Sequence, residues 1–93
     1  MIRHDAIDDD DLRRLILGGY IRYGGNRHLC IYGRLNCASG RRMARGSRVF
    51  FGDEAAARRA GFRPCGHCLR SAYVAWKNQR EDLRANTASG NRA

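Results

Sequence analysis

The sequence lacks most of the devices by which proteins carry out catalysis. Its 93 residues contain no Ser-His-Asp set, no Gly-rich phosphate loop and no pair of carboxylates at catalytic spacing. Acidic residues number nine, and five of them fall in residues 1–11. That is too few, and too local, for general acid–base chemistry to be inferred. No stretch approaches the ~20 apolar residues of a membrane span. Met1 to Ile7 is polar and charged rather than the apolar core of a secretory signal. These absences point to a cytoplasmic protein with no membrane partner and no evident small-molecule substrate. No internal repeat is visible, and the length allows one domain. Lysine is almost missing too: of 18 basic residues, only Lys77 is not arginine.

What is present is charge of one sign, unevenly placed. The net charge is +9. Residues 1–11 carry one Arg and five Asp, a net of −4, whereas the remainder carries 17 basic and 4 acidic residues, a net of +13. Arginine presents a planar fork that pairs bidentately with phosphate, so the balance after residue 11 suits a nucleic-acid backbone. A genome rich in GC would explain arginine over lysine, but not the positive excess.

A chain this short rarely supplies more than roughly 3–5 kcal/mol from its core alone, so a staple is expected. Four cysteines are available. In a reducing compartment clustered thiols bind metal more readily than they oxidise, and a structural zinc contributes on the order of 10–16 kcal/mol of apparent binding energy.

Patterning along the chain places the elements. Asp8 to Asp11 precedes Leu12, Leu15 and Ile16, as the acidic first turn of a helix over 8–18 that ends at Gly18-Gly19. Tyr20–Tyr23 and Leu29–Tyr32 read as strands, with Gly24-Gly25-Asn26 as the turn between them. Gly33 to Ser47 reads as a loop. Arg48-Val49-Phe50-Phe51 is a third strand, with one Phe directed to the core and the other to the opposite face. Asp53 caps a short helix over Glu54–Ala60, stopped by Gly61. In Pro64-Cys65-Gly66-His67-Cys68 the proline fixes the entry and the glycine permits the bend, so that two thiolates face one ion. Leu69, Ala72, Tyr73 and Trp76 follow at helical spacing, and read as core positions of a helix to about Gln79. Beyond Glu81 the residues are small and polar, as in a disordered tail over 81–93.

Arg48-Val49-Phe50-Phe51, Glu54-Ala55-Ala56 and Gly61-Phe62-Arg63-Pro64-Cys65-Gly66-His67-Cys68 resemble the metal-binding domain of the bacterial Ada DNA-repair methyltransferase family. The likeness covers about residues 30–77. Gly25-Asn26, Ile31-Tyr32-Gly33 and Ser39-Gly40-Arg41-Arg42-Met43 resemble a small stand-alone subgroup of that family. The resemblance implies a small α+β fold over residues 1–80, zinc-stabilised, with a short antiparallel sheet of about three strands and two to three helices. Its metal core lies over about 28–77. It also implies a zinc bound by cysteines, of which Cys37, Cys65 and Cys68 match. The family's first ligand, which accepts a methyl group from a DNA phosphotriester, has no counterpart: Gly33 stands there.

Three thiolates leave zinc one ligand short of four. Cys30 is the leading candidate for the gap, with His28, His67 and water as the others. An extended Leu29–Tyr32 would hold Cys30 about 10 Å along the strand from Gly33, so it reaches the ion only if the chain bends; otherwise it is a half-buried strand residue. Arg34, Arg41, Arg42, Arg45, Arg48 and Arg63 lie in the cysteine loop or beside the knuckle, and form the candidate phosphate-binding set. No element reads bases, so backbone contact with DNA is expected rather than sequence recognition. The alternatives are a single-turnover methyl acceptor using a zinc-bound cysteine, and a protein-interaction module with structural zinc.

Overall fold

The computed structural model describes residues 1–37 and 43–90, with side chains placed as far as residue 81. Its centre is a five-stranded sheet in the order β1-β4-β2-β3-β5. The strands are β1 (Ile2–Arg3), β2 (Tyr23–Asn26), β3 (Ile31–Arg34), β4 (Arg48–Phe51) and β5 (Arg63–Pro64). All neighbours are antiparallel except β3 and β5, which run parallel. Three helices accompany the sheet among the described residues: α1 (Asp9–Leu17), α2 (Glu54–Arg59) and α3 (Arg70–Gly90). The class is α+β, but the sheet has five strands and a parallel pair, not about three antiparallel strands. Strands β1 and β5 are two residues long. They exist only because β4 and β3 offer backbone partners, and so carry no local signature.

Local chemistry accounts for the helix ends. Asp8 caps α1 by accepting the Asp11 N–H at 2.8 Å, and Asp9, Asp10 and Asp11 occupy the first turn beside the positive dipole end. Asp53 does the same for α2, accepting the Ala56 N–H at 2.7 Å. Gly61, at φ +89°, then turns the chain into β5. Helix α3 runs on to Gly90, well past Gln79, where a tail was expected over 81–93. Once a helix is nucleated each further residue adds cheaply, and Leu83, Arg84 and Ala85 favour its continuation.

The hairpin differs from its expected form. Tyr20–Arg22 precedes the strand, and Gly24, Gly25 and Asn26 lie within β2 rather than in a turn. The reversal falls at Arg27–Cys30, organised by Asn26. The Asn26 side chain accepts the N–H groups of His28 (2.9 Å) and Leu29 (3.1 Å), and its carbonyl accepts the Cys30 N–H at 2.8 Å. Two glycines in a central strand follow from what covers them. A Cβ at Gly25 would stand 2.9 Å from the Ile31 carbonyl oxygen and 3.2 Å from the Phe62 ring.

Register divides the sheet into two faces. Val49, Gly25 and Tyr32 stand opposite one another, as do Phe50, Gly24 and Gly33. The first row faces the hydrophobic core, formed by Tyr32, Val49, Phe51, Ala57, Phe62 and Leu69, with the Phe51 and Phe62 rings edge to face and their centroids 4.9 Å apart. Phe50, on the other face, is also buried: His4 meets it edge-on at 5.2 Å and the Arg48 guanidinium covers it at 5.0 Å. Leu69 and Ala72 join the core, whereas Tyr73 and Trp76 stack on each other and carry the Arg63 guanidinium over both rings. Glu54 ties α2 to the sheet by accepting the hydroxyls of Tyr23 (3.1 Å) and Tyr32 (2.9 Å).

Candidate metal centre

The knuckle is positioned by β5. The Arg63 N–H donates to the Cys30 carbonyl at 2.9 Å and the Cys65 N–H to the Tyr32 carbonyl at 2.7 Å. Pro64, between them, has no N–H to place, so an edge strand of two residues tolerates it. This pairing sets Cys65 beside Gly33. The turn Cys65–Cys68 then leads into α3, the Leu69 N–H donating to the Cys65 carbonyl at 3.0 Å. Cys37 enters from the other side, at the end of the turn after β3, where its N–H donates to the Arg34 carbonyl at 3.1 Å.

The result is a cluster of three thiols. The sulfurs of Cys37, Cys65 and Cys68 lie within 4.8 Å of one another. A tetrahedral ion with a metal–sulfur distance of about 2.3 Å needs them about 3.8 Å apart, a small contraction. Cys37 is buried, and Cys65 and Cys68 are half-buried. The surrounding backbone is set for negative sulfur: the Arg34 N–H points to Cys68 Sγ at 3.3 Å and the His67 N–H to Cys65 Sγ at 3.4 Å.

Electrostatics give the donor set a second fit to a cation. Burial pushes the Cys65 thiol up, but the N–H groups of Cys68 and His67 and the neighbouring thiols outweigh it, so Cys65 ionises below the ordinary thiol range. Burial first, then Cys37 and the charge on Cys65, push Cys68 up to about 11 against the opposing Arg34 N–H. One thiolate is thus stabilised and its neighbour is held protonated. A divalent cation removes that conflict by neutralising the charge the sulfurs share.

Cys30 stands apart from this cluster. It closes the β2–β3 turn at φ +56°, is exposed, and directs its sulfur to the Arg27 carbonyl at 3.7 Å. The turn that Asn26 builds fixes it there, and no bend near Gly33 brings it round. Cys30 is therefore not among the clustered sulfurs, and it is not a half-buried strand residue either. His28 and His67 are exposed and also lie outside the cluster.

The six arginines take different places. Arg34 is exposed, with its backbone against Cys68, and Arg48 lines the same cavity as Cys37 and Cys65. Arg63 immediately precedes the knuckle on β5 and donates to the Pro64 carbonyl at 3.0 Å. Arg45 is used internally: it pairs with Asp9 at 2.9 Å and donates to the carbonyls of His4 and Ile7. The acidic N-terminal segment therefore reaches the basic loop through this contact. Arg41 and Arg42 lie outside the described residues. Met43, part of the wall of the cavity beside the cluster, was missed as a site residue, although the stretch ending in it carries part of the family likeness. Glu54 had no local signal, because its two tyrosine partners are distant in sequence.

A family model described as the metal binding domain of Ada matches residues 22–70. The chain belongs to that family. The match spans β2 to the start of α3, and so contains Cys37, Cys65 and Cys68. Comparison with curated proteins and with solved structures returned no match. At Gly33, where the sequence resemblance implied a further cysteine, the Ada-type domain carries no side chain. A Cβ at that position would stand 2.6 Å from Cys68 Sγ and 3.2 Å from Cys65 Cβ, so residue 33 faces the sulfur cluster directly. Among the described residues no helix is long and apolar enough to cross a membrane.

Proposed function

We propose that this chain is a zinc-stabilised module that binds the phosphate backbone of DNA, with its metal in a structural role and no methyl transfer of its own. Three soft sulfur donors within 4.8 Å of one another suit zinc, which has no redox chemistry and imposes no geometry of its own. The ion would be held by Cys37, Cys65 and Cys68, linking the turn after β3 to the start of α3, and would stand in for core that the chain is too short to build.

The observation that carries the binding reading is the grouping of cations around this centre. Arg34 and Arg48 border the cavity against the cluster, and Arg63 sits one residue before Cys65's neighbour Pro64. With Arg45 committed to Asp9, the set reduces to Arg34, Arg41, Arg42, Arg48 and Arg63. If each neutralises one phosphate, log K falls against log salt with a slope of about −4 to −5. A salt titration with a DNA duplex of arbitrary sequence measures this, and a flat response refutes the reading. The route through Cys30 as ligand and methyl acceptor loses its support, because that sulfur lies outside the cluster and Gly33 carries no thiol.

A further inference from the structure

Gly33 sets bare backbone against the sulfur cluster. The residue is buried in β3, on the row that faces Cys65 and Cys68, and any side chain there would enter the cluster. Beside it lies a cavity of about 410 Å³ that reaches Cys37 and Cys65. Gly24, Leu29 and Met43 contribute apolar wall, and the Arg48 guanidinium, close to Gly24, brings positive charge to it. Among the described residues, no other Cys, His, Asp or Glu joins the three sulfurs. Residues 38–42 contain none of these types. A metal held by three protein ligands has one of its four tetrahedral positions left for a donor from outside the chain.

We propose that the metal at this cluster has one coordination position open to the cavity, and that a small organic thiol binds there as its thiolate. The proposal rests on the metal-binding reading above. Soft donors favour a fourth soft donor, the apolar walls accept the carbon body of the thiol, and Arg48 offsets the added negative charge. On binding, the S–H bond breaks, its proton passes to the buffer and a metal–sulfur bond forms. No oxidant or reductant takes part.

The test uses the full chain loaded with Co²⁺, whose visible absorption reports both thiolate donors and coordination geometry. Benzyl mercaptan is the probe, with benzyl alcohol as the control of equal shape and a harder donor. The expected result is a saturable rise in sulfur-to-cobalt charge transfer with the thiol and none with the alcohol, the cobalt remaining on the chain through gel filtration. Gly33→Cys supplies a fourth thiolate from the chain itself and is expected to abolish the response. A second variant guards against misfolding of the first. A Cβ at Gly24 meets nothing closer than 3.6 Å, so Gly24→Ala fits the fold while narrowing the cavity. It is expected to bind cobalt normally and the thiol more weakly. One cobalt per chain with thiolate bands, but no response of the native chain to thiol, overturns the proposal and leaves metal binding standing. Cobalt stripped from the chain by the thiol also overturns it. A chain that takes up no cobalt fails the metal-binding reading, and this proposal with it.

Discussion

Replacing Cys30 by glycine separates two roles for that cysteine by sign. As a ligand, its loss would weaken metal binding and destabilise the fold. In the structure it is instead an exposed residue at φ +56°, outside the cluster. A left-handed conformation costs a non-glycine residue roughly 1–2 kcal/mol, and glycine's greater freedom in the unfolded chain returns about 0.5–1 kcal/mol of that. The balance predicts a net stabilisation of about 0.5–1 kcal/mol for Cys30→Gly. For a domain of this size 1 kcal/mol moves Tm by about 4–8 °C, so a rise of roughly 2–8 °C is expected. Metal content and affinity should not change.

The matching control is Cys37→Ser. Structural zinc contributes on the order of 10–16 kcal/mol over four coordination positions, so one thiolate accounts for about 3–4 kcal/mol, or roughly 10²- to 10³-fold in affinity. Competition with a chromophoric chelator gives the affinity, elemental analysis gives the metal per chain, and a thermal melt gives the stability. Loss of metal from Cys30→Gly comparable to that from Cys37→Ser would refute the placement of Cys30, and with it the turn that Asn26 is argued to build.

Three further outcomes follow from the packing. Gly25→Ala pushes a methyl group against the Ile31 carbonyl and the Phe62 ring, so a loss of about 1–3 kcal/mol in a denaturant melt is expected; an unchanged midpoint contradicts the register. Glu54→Ala strips the acceptor from the buried Tyr32 hydroxyl and from Tyr23, with an expected cost of about 2–4 kcal/mol, and Tyr23→Phe should cost much less in the Glu54→Ala background than alone. Burial, then Arg45 and Arg48, lower the His4 pKa below its ordinary 6.5 against the opposing pull of Asp9 and Asp5. The unfolded chain therefore binds the proton more readily, and stability present above pH 6.5 should fall as pH drops below it; melts of His4→Phe should show a smaller loss over that range.

The parts of this molecule legible in its sequence are those whose physics is local. The acidic first turn of α1, the Asp53 cap, the Arg48–Phe51 strand and the Cys65–Cys68 turn each act within a few residues, and each lies where the sequence pattern puts it, with Asp8 itself one residue outside as the cap. Strands β1 and β5 were not legible because two residues have no periodicity; a distant partner defines them. The Gly24-Gly25 pair was read as a turn because glycine weakens a strand when nothing else is known. Phe62, 37 residues after Gly25, supplies the missing reason. Cys30 was misjudged by the same route: an error in where the strand begins moved its sulfur to a place it does not occupy.

The two glycine rows explain why fold and site are hard to separate here. In β2 and β3, Gly25 and Tyr32 are opposite each other on the core face, and Gly24 and Gly33 are opposite each other on the face of the sulfur cluster. On the core face the missing side chain at Gly25 is replaced by the Phe62 ring, so the sheet loses no packing. On the other face the missing side chains at Gly24 and Gly33 are met by the Arg48 guanidinium and by Cys65 and Cys68. At these two positions that face is therefore met by a cation and by sulfur, with the buried Phe50 ring beside them on β4. The attraction at the two positions is electrostatic, and depends on the sulfurs being held as thiolates by a metal. Removal of the metal would therefore loosen β3, β5 and the start of α3 before it disturbs β4 and α2, whose contacts are apolar. Hydrogen exchange after chelation should show that order of opening, with the Cys65 and Arg34 amides exchanging ahead of those of Val49 and Phe51. Simultaneous exchange of all four would mean that the cluster and the apolar core are a single cooperative unit.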